Sequence, residues 1–234
     1  IGSRIVGLDS KKVGDNILCP NLHGSAGSGD TYALSCETGL LLVTQKSDKP
    51  EVRHLPYPSY LPNGRVSTMI GGKGMQYFIG NYGADRIVLI DPSASQSFRI
   101  VQLPTRRVHF AIDPVNPKFA YVFTEDGKLN QIDILKGEII KSVPVTNSYS
   151  MAGHWNDPRP RIALADDKIF ITDPVQSKIH VLKSSDLTEI TDIEVEGHPF
   201  NIVAVGGTGM KHDHDHDHDH DHDHDHDHDH SHTH

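Results

Sequence analysis

Four histidines, His23, His109, His154 and His198, fall at one phase of a repeat. The steps between them are 86, 45 and 44 residues, and 86 is two steps of 43, with the skipped position near Val66. Neutral imidazole suits zinc and other borderline transition metals, bound at about 2.0–2.1 Å. Residues at matching positions of a closed repeat converge in space, so these four form a candidate metal site. Asp113, four after His109, and Asp157, three after His154, are candidate carboxylates to complete the shell or orient the rings. The competing reading is structural: a histidine at such a position can serve only to hydrogen-bond a neighbouring strand. His54 and His180 are out of phase and read as surface or strand residues.

A second concentration of ligands closes the chain. His212, His214, His216, His218, His220, His222, His224, His226, His228, His230, His232 and His234 alternate with nine aspartates and then with Ser231 and Thr233. With almost no apolar content, residues 211–234 cannot offset the entropy of ordering, and the composition predicts a disordered metal-binding tail. In an extended chain the imidazoles point one way, about 7 Å apart, and the carboxylates the other. One ion therefore needs a bend to collect several rings. At three or four ligands per zinc, twelve rings hold roughly three or four ions, weakly and with fast exchange. The aspartates raise the pKa of the imidazoles, so binding should fail as the pH drops. A solubilising low-complexity end and a purification tag are the competing readings of this stretch.

The elements that must position the body histidines are strands. Short β-rich runs bounded by Gly, Pro, Asn and Asp recur, and no amphipathic helical pattern stands out. "TYALSC" starts at Thr31, "QYFIGN" at Gln76, "AYVFTE" at Ala120 and "KIFITD" at Lys168. Each is followed by a turn and another apolar run. Four-stranded units of 40 to 50 residues mark an all-β chain folded as a β-propeller of antiparallel blades. In that fold the first strand of each blade lines the central channel, and the in-phase histidines stand just before or within it. Residues 1–210 read as the propeller, with about four whole units. "RIVGLDS" at Arg4 resembles the third strand of a unit, and "FNIVAVGG" reads as a first strand with nothing after it. Either the propeller is small and imperfectly closed, or these are four to five blades of a larger, N-terminally truncated one, and the second is the expectation.

Composition narrows the function. Without residues 212–234 the body holds 22 acidic against 22 basic side chains, so the net charge of −9 belongs to the tail. A neutral body gives no support for nucleic-acid binding. No apolar run approaches the ~20 residues of a membrane-spanning helix. The two cysteines, Cys19 and Cys36, suit either a disulfide, which would stabilise by roughly 3 kcal/mol and indicate an oxidising compartment, or two unpaired core thiols.

The stretch "CPNLHGSAGSGDTYALSCETGLLLV" resembles the AztD family of periplasmic zinc metallochaperones, which serve a zinc ABC transporter. The matching pieces are Cys19-Pro20, Leu22-His23-Gly24, a small-residue stretch, a strand ending at Cys36 and an acidic-Gly turn. The closing "GHPFNIVAVGGTG" is similar as well, and the resemblance runs along most of residues 1–210. It implies a monomeric, periplasmic β-propeller that binds Zn2+ and hands it to the transporter's solute-binding protein. It also implies a Cys19–Cys36 disulfide, with His23 and His198 as the leading ligands and His109 and His154 next. Family members are longer, with a leader and N-terminal blades, and ligands carried there lie outside this chain. The tail's role rests on composition alone.

Two other classes compete with a non-enzymatic carrier. A metal-dependent propeller hydrolase or lactonase would need an open coordination position and a general base. The chain shows no G-x-S-x-G, no HExxH and no phosphate-binding Gly loop; "GGKGMQ" sits between two strands and reads as a blade turn. A protein-interaction propeller with an incidental tail is the third class.

Overall fold

The computed structural model describes residues 2–6, 11–46 and 49–205. Alternation of apolar and turn-forming residues produces eighteen described strands. Strands β1 (Gly2–Val6) and β2 (Lys12–Leu18) pair as an antiparallel hairpin. Four four-stranded antiparallel sheets follow in series. The first holds β3 (Ser25–Ser28), β4 (Thr31–Ser35), β5 (Gly39–Gln45) and β6 (Pro50–Pro56). The second holds β7 (Met69–Ile70), β8 (Phe78–Asn81), β9 (Arg86–Ile90) and β10 (Phe98–Gln102). The third holds β11 (Arg107–Ile112), β12 (Phe119–Thr124), β13 (Lys128–Asp133) and β14 (Glu138–Pro144). The fourth holds β15 (Ile162–Ala165), β16 (Lys168–Asp173), β17 (Lys178–Lys183) and β18 (Glu189–Glu194).

In every sheet the strands are ordered as they occur in sequence, so each is a meander. The landmark runs "TYALS", "FIGN", "AYVFT" and "KIFITD" are the second strands of the four blades. First strands of adjacent blades approach one another, β3 against β7 and β11 against β15, which is the arrangement of a propeller hub.

The core lies between blades. Successive side chains on a strand face opposite ways, so Phe78 packs against the first blade while Ile79 packs against the third. Likewise Ala120 and Val122 face the second blade, and Tyr121 and Phe123 face the fourth. Strands buried on both faces need no polar alternation, which is why β8 and β12 read as nearly unbroken apolar runs. The glycines of "GGKGMQ" do occupy a blade turn, between β7 and β8. A Cβ on Gly71 would stand 2.5 Å from the carbonyl oxygen of Gly27 on the neighbouring blade.

The closing "FNIVAV" departs from the expected strand: residues 201–205 form no ladder. Ile202, Val203 and Ala204 nonetheless line a cavity with Ile162, Ala163 and Leu164, so the segment runs beside β15. It stands where the first strand of another blade would stand, but no described second strand pairs with it to complete a ladder.

Candidate metal centre

Cys19 and Cys36 form a disulfide with Cα atoms 4.9 Å apart, and both are fully buried beside Leu41. The loop that it closes carries His23. Backbone bonds zip that loop: His23 N donates to Ser35 O at 3.0 Å, Ser35 N to Gly24 O at 3.0 Å, and Glu37 N to Pro20 O at 2.9 Å. The His23 ring is exposed, and its Nδ1 lies 2.9 Å from the carbonyl oxygen of Ser67.

Ser67 stands 44 residues after His23, at the position where the histidine phase is skipped. A carbonyl oxygen can only accept, so Nδ1 of His23 carries the ring proton. Its Nε2 is then an unprotonated lone pair. A carbonyl bonded to one ring nitrogen in this way fixes the tautomer of metal-ligating histidines and leaves the other nitrogen for the ion. The Ser67 carbonyl is itself held in place. Asn81 Oδ1 accepts from Ser67 N at 2.8 Å and Thr68 N at 2.7 Å, and its amide donates to Ser67 Oγ at 2.7 Å. Gly24 has φ +90°, and a Cβ there would stand 2.5 Å from the same Ser67 oxygen, so only glycine fits beside His23. Sequence reading singled out neither Ser67 nor Asn81; the only signal was the gap in the phase.

His198 repeats the arrangement. Its ring is exposed, and Nδ1 lies 2.7 Å from the carbonyl oxygen of Pro174, in the turn between β16 and β17. Nδ1 again carries the proton and leaves Nε2 free. That turn is fixed by Asp173, whose Oδ1 accepts from Val175 N at 3.1 Å, Gln176 N at 3.0 Å and the Tyr149 hydroxyl at 2.8 Å. Asp173 Oδ2 lies 3.5 Å from His180 Nε2, and His180 Nδ1 lies 2.7 Å from Glu189 Oε1. His180 is thus a buried strand residue that braces the Asp173 turn.

The other two in-phase histidines have the opposite polarity. His109, within β11, accepts through Nδ1 from the backbone N–H of Ile162 at 3.1 Å. His154 accepts through Nδ1 from Asn156 N at 3.2 Å. When neutral, each ring therefore carries its proton on Nε2, and neither nitrogen offers a free lone pair until the bond is given up. Burial, then the Arg161 and Arg107 guanidiniums, lowers the pKa of His109 to about 4, so its ring is neutral at physiological pH. His154 lies in an exposed turn with its ring 5.6 Å from that of Trp155.

The two proposed carboxylates are turn caps. Asp113 Oδ1 accepts from Val115 N and Asn116 N, both at 2.9 Å, and Oδ2 from the Tyr121 hydroxyl at 3.2 Å. Asp157 Oδ2 accepts from His154 N at 2.7 Å. His54, on β6, lies 3.2 Å from Thr38 Oγ1 through Nε2. Among the described residues no three His, Cys, Asp or Glu side chains are gathered closely enough to hold an ion. The twelve tail histidines, His212 to His234, lie outside the described residues.

No protein-family profile matches the chain. A curated relative does: the zinc chaperone AztD of Citrobacter koseri is 70% identical over 212 residues, which are 91% of this chain and 50% of that protein. A crystal structure of Citrobacter koseri AztD superposes with a TM-score of 0.85 at 70% identity, over 91% of this chain and 57% of that one. An apo structure of the same protein superposes with a TM-score of 0.86 over 90% and 57%. This chain spans about half the length of the curated relative it matches. Over nine-tenths of its length the chain is AztD-like in both sequence and fold, as the Cys19–Cys36 stretch implied.

Proposed function

We propose that this chain is part of a non-enzymatic zinc metallochaperone that hands Zn2+ to the solute-binding protein of a zinc ABC transporter in the periplasm. The observation that carries the reading is the 70% identity to a zinc chaperone. The Cys19–Cys36 disulfide supports an oxidising compartment.

His23 and His198 are the body ligands. Each presents one Nε2 lone pair on an exposed ring oriented by a backbone carbonyl. Zinc prefers four donors, so one such ring is an incomplete site and must share its ion with donors from elsewhere. The tail supplies twelve. Ions collected on His212–His234 can pass to His23 or His198 by exchanging one imidazole for another, without release to water. His109 and His154 join only after breaking the bonds to Ile162 N and Asn156 N. A site of shared, exchangeable donors is suited to transfer, whereas a closed four-ligand cage is suited to structural retention.

Zinc titration by competition with a chelating dye, with and without residues 211–234, tests the reading. Tail removal should delete several equivalents and leave one or two at the body rings, weakened by the loss of the donors that the tail shares with them. Loss of all zinc binding with the tail would contradict body ligands. Transfer is tested separately, by mixing the zinc-loaded chain with a purified solute-binding protein and following the ion.

A further inference from the structure

The loop from Tyr149 to Arg161 lies between β14 and β15 and carries Trp155, the one tryptophan of the chain. Its backbone is tied down along its length. Tyr149 N donates to Glu125 O at 2.8 Å, and Met151 N donates to the Glu125 carboxylate. His154 N donates to Asp157 Oδ2 at 2.7 Å, and Asp157 N donates back to His154 O at 3.0 Å. Arg159 donates to the same His154 oxygen at 2.8 Å. Gly153 has φ +109°, and a Cβ there would stand 2.6 Å from Asp157 Oδ2. The tip of this fixed loop is nonetheless turned to solvent: residues 152–158 are all exposed, Trp155 by 74%. An ordered loop that holds the largest side chain in water forgoes its burial. Partner proteins bury tryptophans of this kind as anchors, and a rigid loop loses little entropy when they do.

Both ends of the loop rest on the elements that hold His198. At one end the Tyr149 hydroxyl donates to Asp173 Oδ1 at 2.8 Å and accepts from Val175 N at 2.8 Å. Those two residues flank Pro174, whose carbonyl orients the His198 ring. At the other end the Arg161 guanidinium lies 5.6 Å from the ring of Phe200, two residues after His198. The Trp155 loop is thus a neighbour of the exposed His198 ring. A protein that takes an ion from that ring covers roughly 800 Å2 of this chain, which extends well beyond one imidazole. Residues 150–158 include no Lys or Arg, so the loop lacks the cations that attract an anionic membrane.

We propose that residues 150–158, with Trp155 as the anchor, are the docking element for the protein that takes zinc from His198. The partner that fits is a folded zinc acceptor with an apolar pocket beside its own metal site. Trp155 fills that pocket and holds the acceptor's donors near His198 while the ion exchanges. The inference rests on the metallochaperone reading, with His198 as a ligand, and adds the contact surface.

The test follows transfer from the zinc-loaded full chain to a purified, zinc-free solute-binding protein at increasing acceptor concentration. Trp155→Ala should raise the acceptor concentration for half-maximal rate by roughly tenfold or more, with the limiting rate unchanged, and Trp155→Phe should recover most of the loss. Leu135→Ala, which trims another side chain that is 75% exposed, should transfer as the unaltered chain does. Zinc stoichiometry, thermal melt and release to a small chelating dye should be the same for all four chains, because none of them involves docking. Unchanged half-saturation in Trp155→Ala, with transfer from the unaltered chain intact, would overturn the proposal alone. Equal slowing towards protein and dye would place the effect on His198 itself and overturn it as well. So would a blue shift of the Trp155 emission on vesicles of phosphatidylethanolamine and phosphatidylglycerol, which would assign the loop to a membrane. Absence of transfer from the unaltered chain would overturn the metallochaperone reading and the docking element together.

Discussion

The Nδ1 of His23 lies 2.9 Å from the carbonyl oxygen of Ser67, the residue one repeat further on. One hydrogen bond thus joins the entrance of the first blade to the entrance of the second and chooses the tautomer of an exposed ring. Each element around it serves that placement: the disulfide closes the loop, Gly24 makes room, and Asn81 aims the carbonyl.

Asn81→Ala should therefore act at a distance. It leaves Ser67 N and Thr68 N unpaired at a part-buried site, a loss of about 1–3 kcal/mol. It should also weaken zinc binding at His23 by roughly tenfold or more, as loss of a group that orients a metal-ligating histidine does elsewhere. Urea unfolding measures the first effect and dye competition on a tail-deleted chain the second; an Asn81→Asp variant, which keeps the acceptor, should restore most of both.

Gly24→Ala places a methyl group 2.5 Å from the Ser67 oxygen, on a backbone with φ +90°. The expected cost is about 2 kcal/mol or more, with displacement of the His23 ring. A thermal melt of the zinc-free protein checks the cost. Gly74→Ala serves as the control, since it shares a positive φ of 79° but meets nothing within 4 Å.

Reduction of Cys19–Cys36 frees a loop of 17 residues' separation and should lower stability by about 3 kcal/mol. Because both sulfurs are buried, reduction should need partial unfolding and proceed slowly under native conditions. Denaturant melts with and without reductant give the difference.

His109 sets a pH dependence. Its folded pKa is lowered from 6.5 to about 4, chiefly by burial and then by Arg161 and Arg107. The unfolded chain therefore takes up a proton that the folded chain refuses. The stabilisation is fully present above about pH 6.5 and is lost as the pH falls towards 4, by about 3 kcal/mol in all. In urea titrations at pH 7 and pH 4.5, His109→Gln should flatten that part of the wild-type slope. An unchanged slope would contradict a neutral buried ring.

The architecture was legible in the sequence because strands buried on both faces leave long apolar runs, and these recur every 44 residues or so. The phase of the histidines was legible for the same reason. What the phase could not convey was ring polarity. His23 precedes β3, His198 precedes the unpaired segment 201–205, and both meet carbonyls, whereas His109 sits within β11 and meets the N–H of Ile162. His154 is drawn into its own turn by Asp157, eight residues ahead of β15. Those differences arise from loop lengths and backbone direction at each blade entrance, which equal spacing conceals. Asp113 and Asp157, singled out as candidate carboxylates, each accept from backbone N–H groups in their own turns, a role that spacing alone does not distinguish from ligation. The strand expected at 201–205 has the right composition but no described neighbour to complete its ladder.

The most direct measurement is zinc affinity of the tail-deleted chain, by dye competition at pH 7, for His23→Ala, His198→Ala, His109→Ala and His154→Ala side by side. The tautomers predict that the first two weaken binding by roughly tenfold to a hundredfold, while the last two leave it unchanged. Equal losses in all four, or losses confined to His109 and His154, would contradict the assignment of the metal to the two carbonyl-oriented rings.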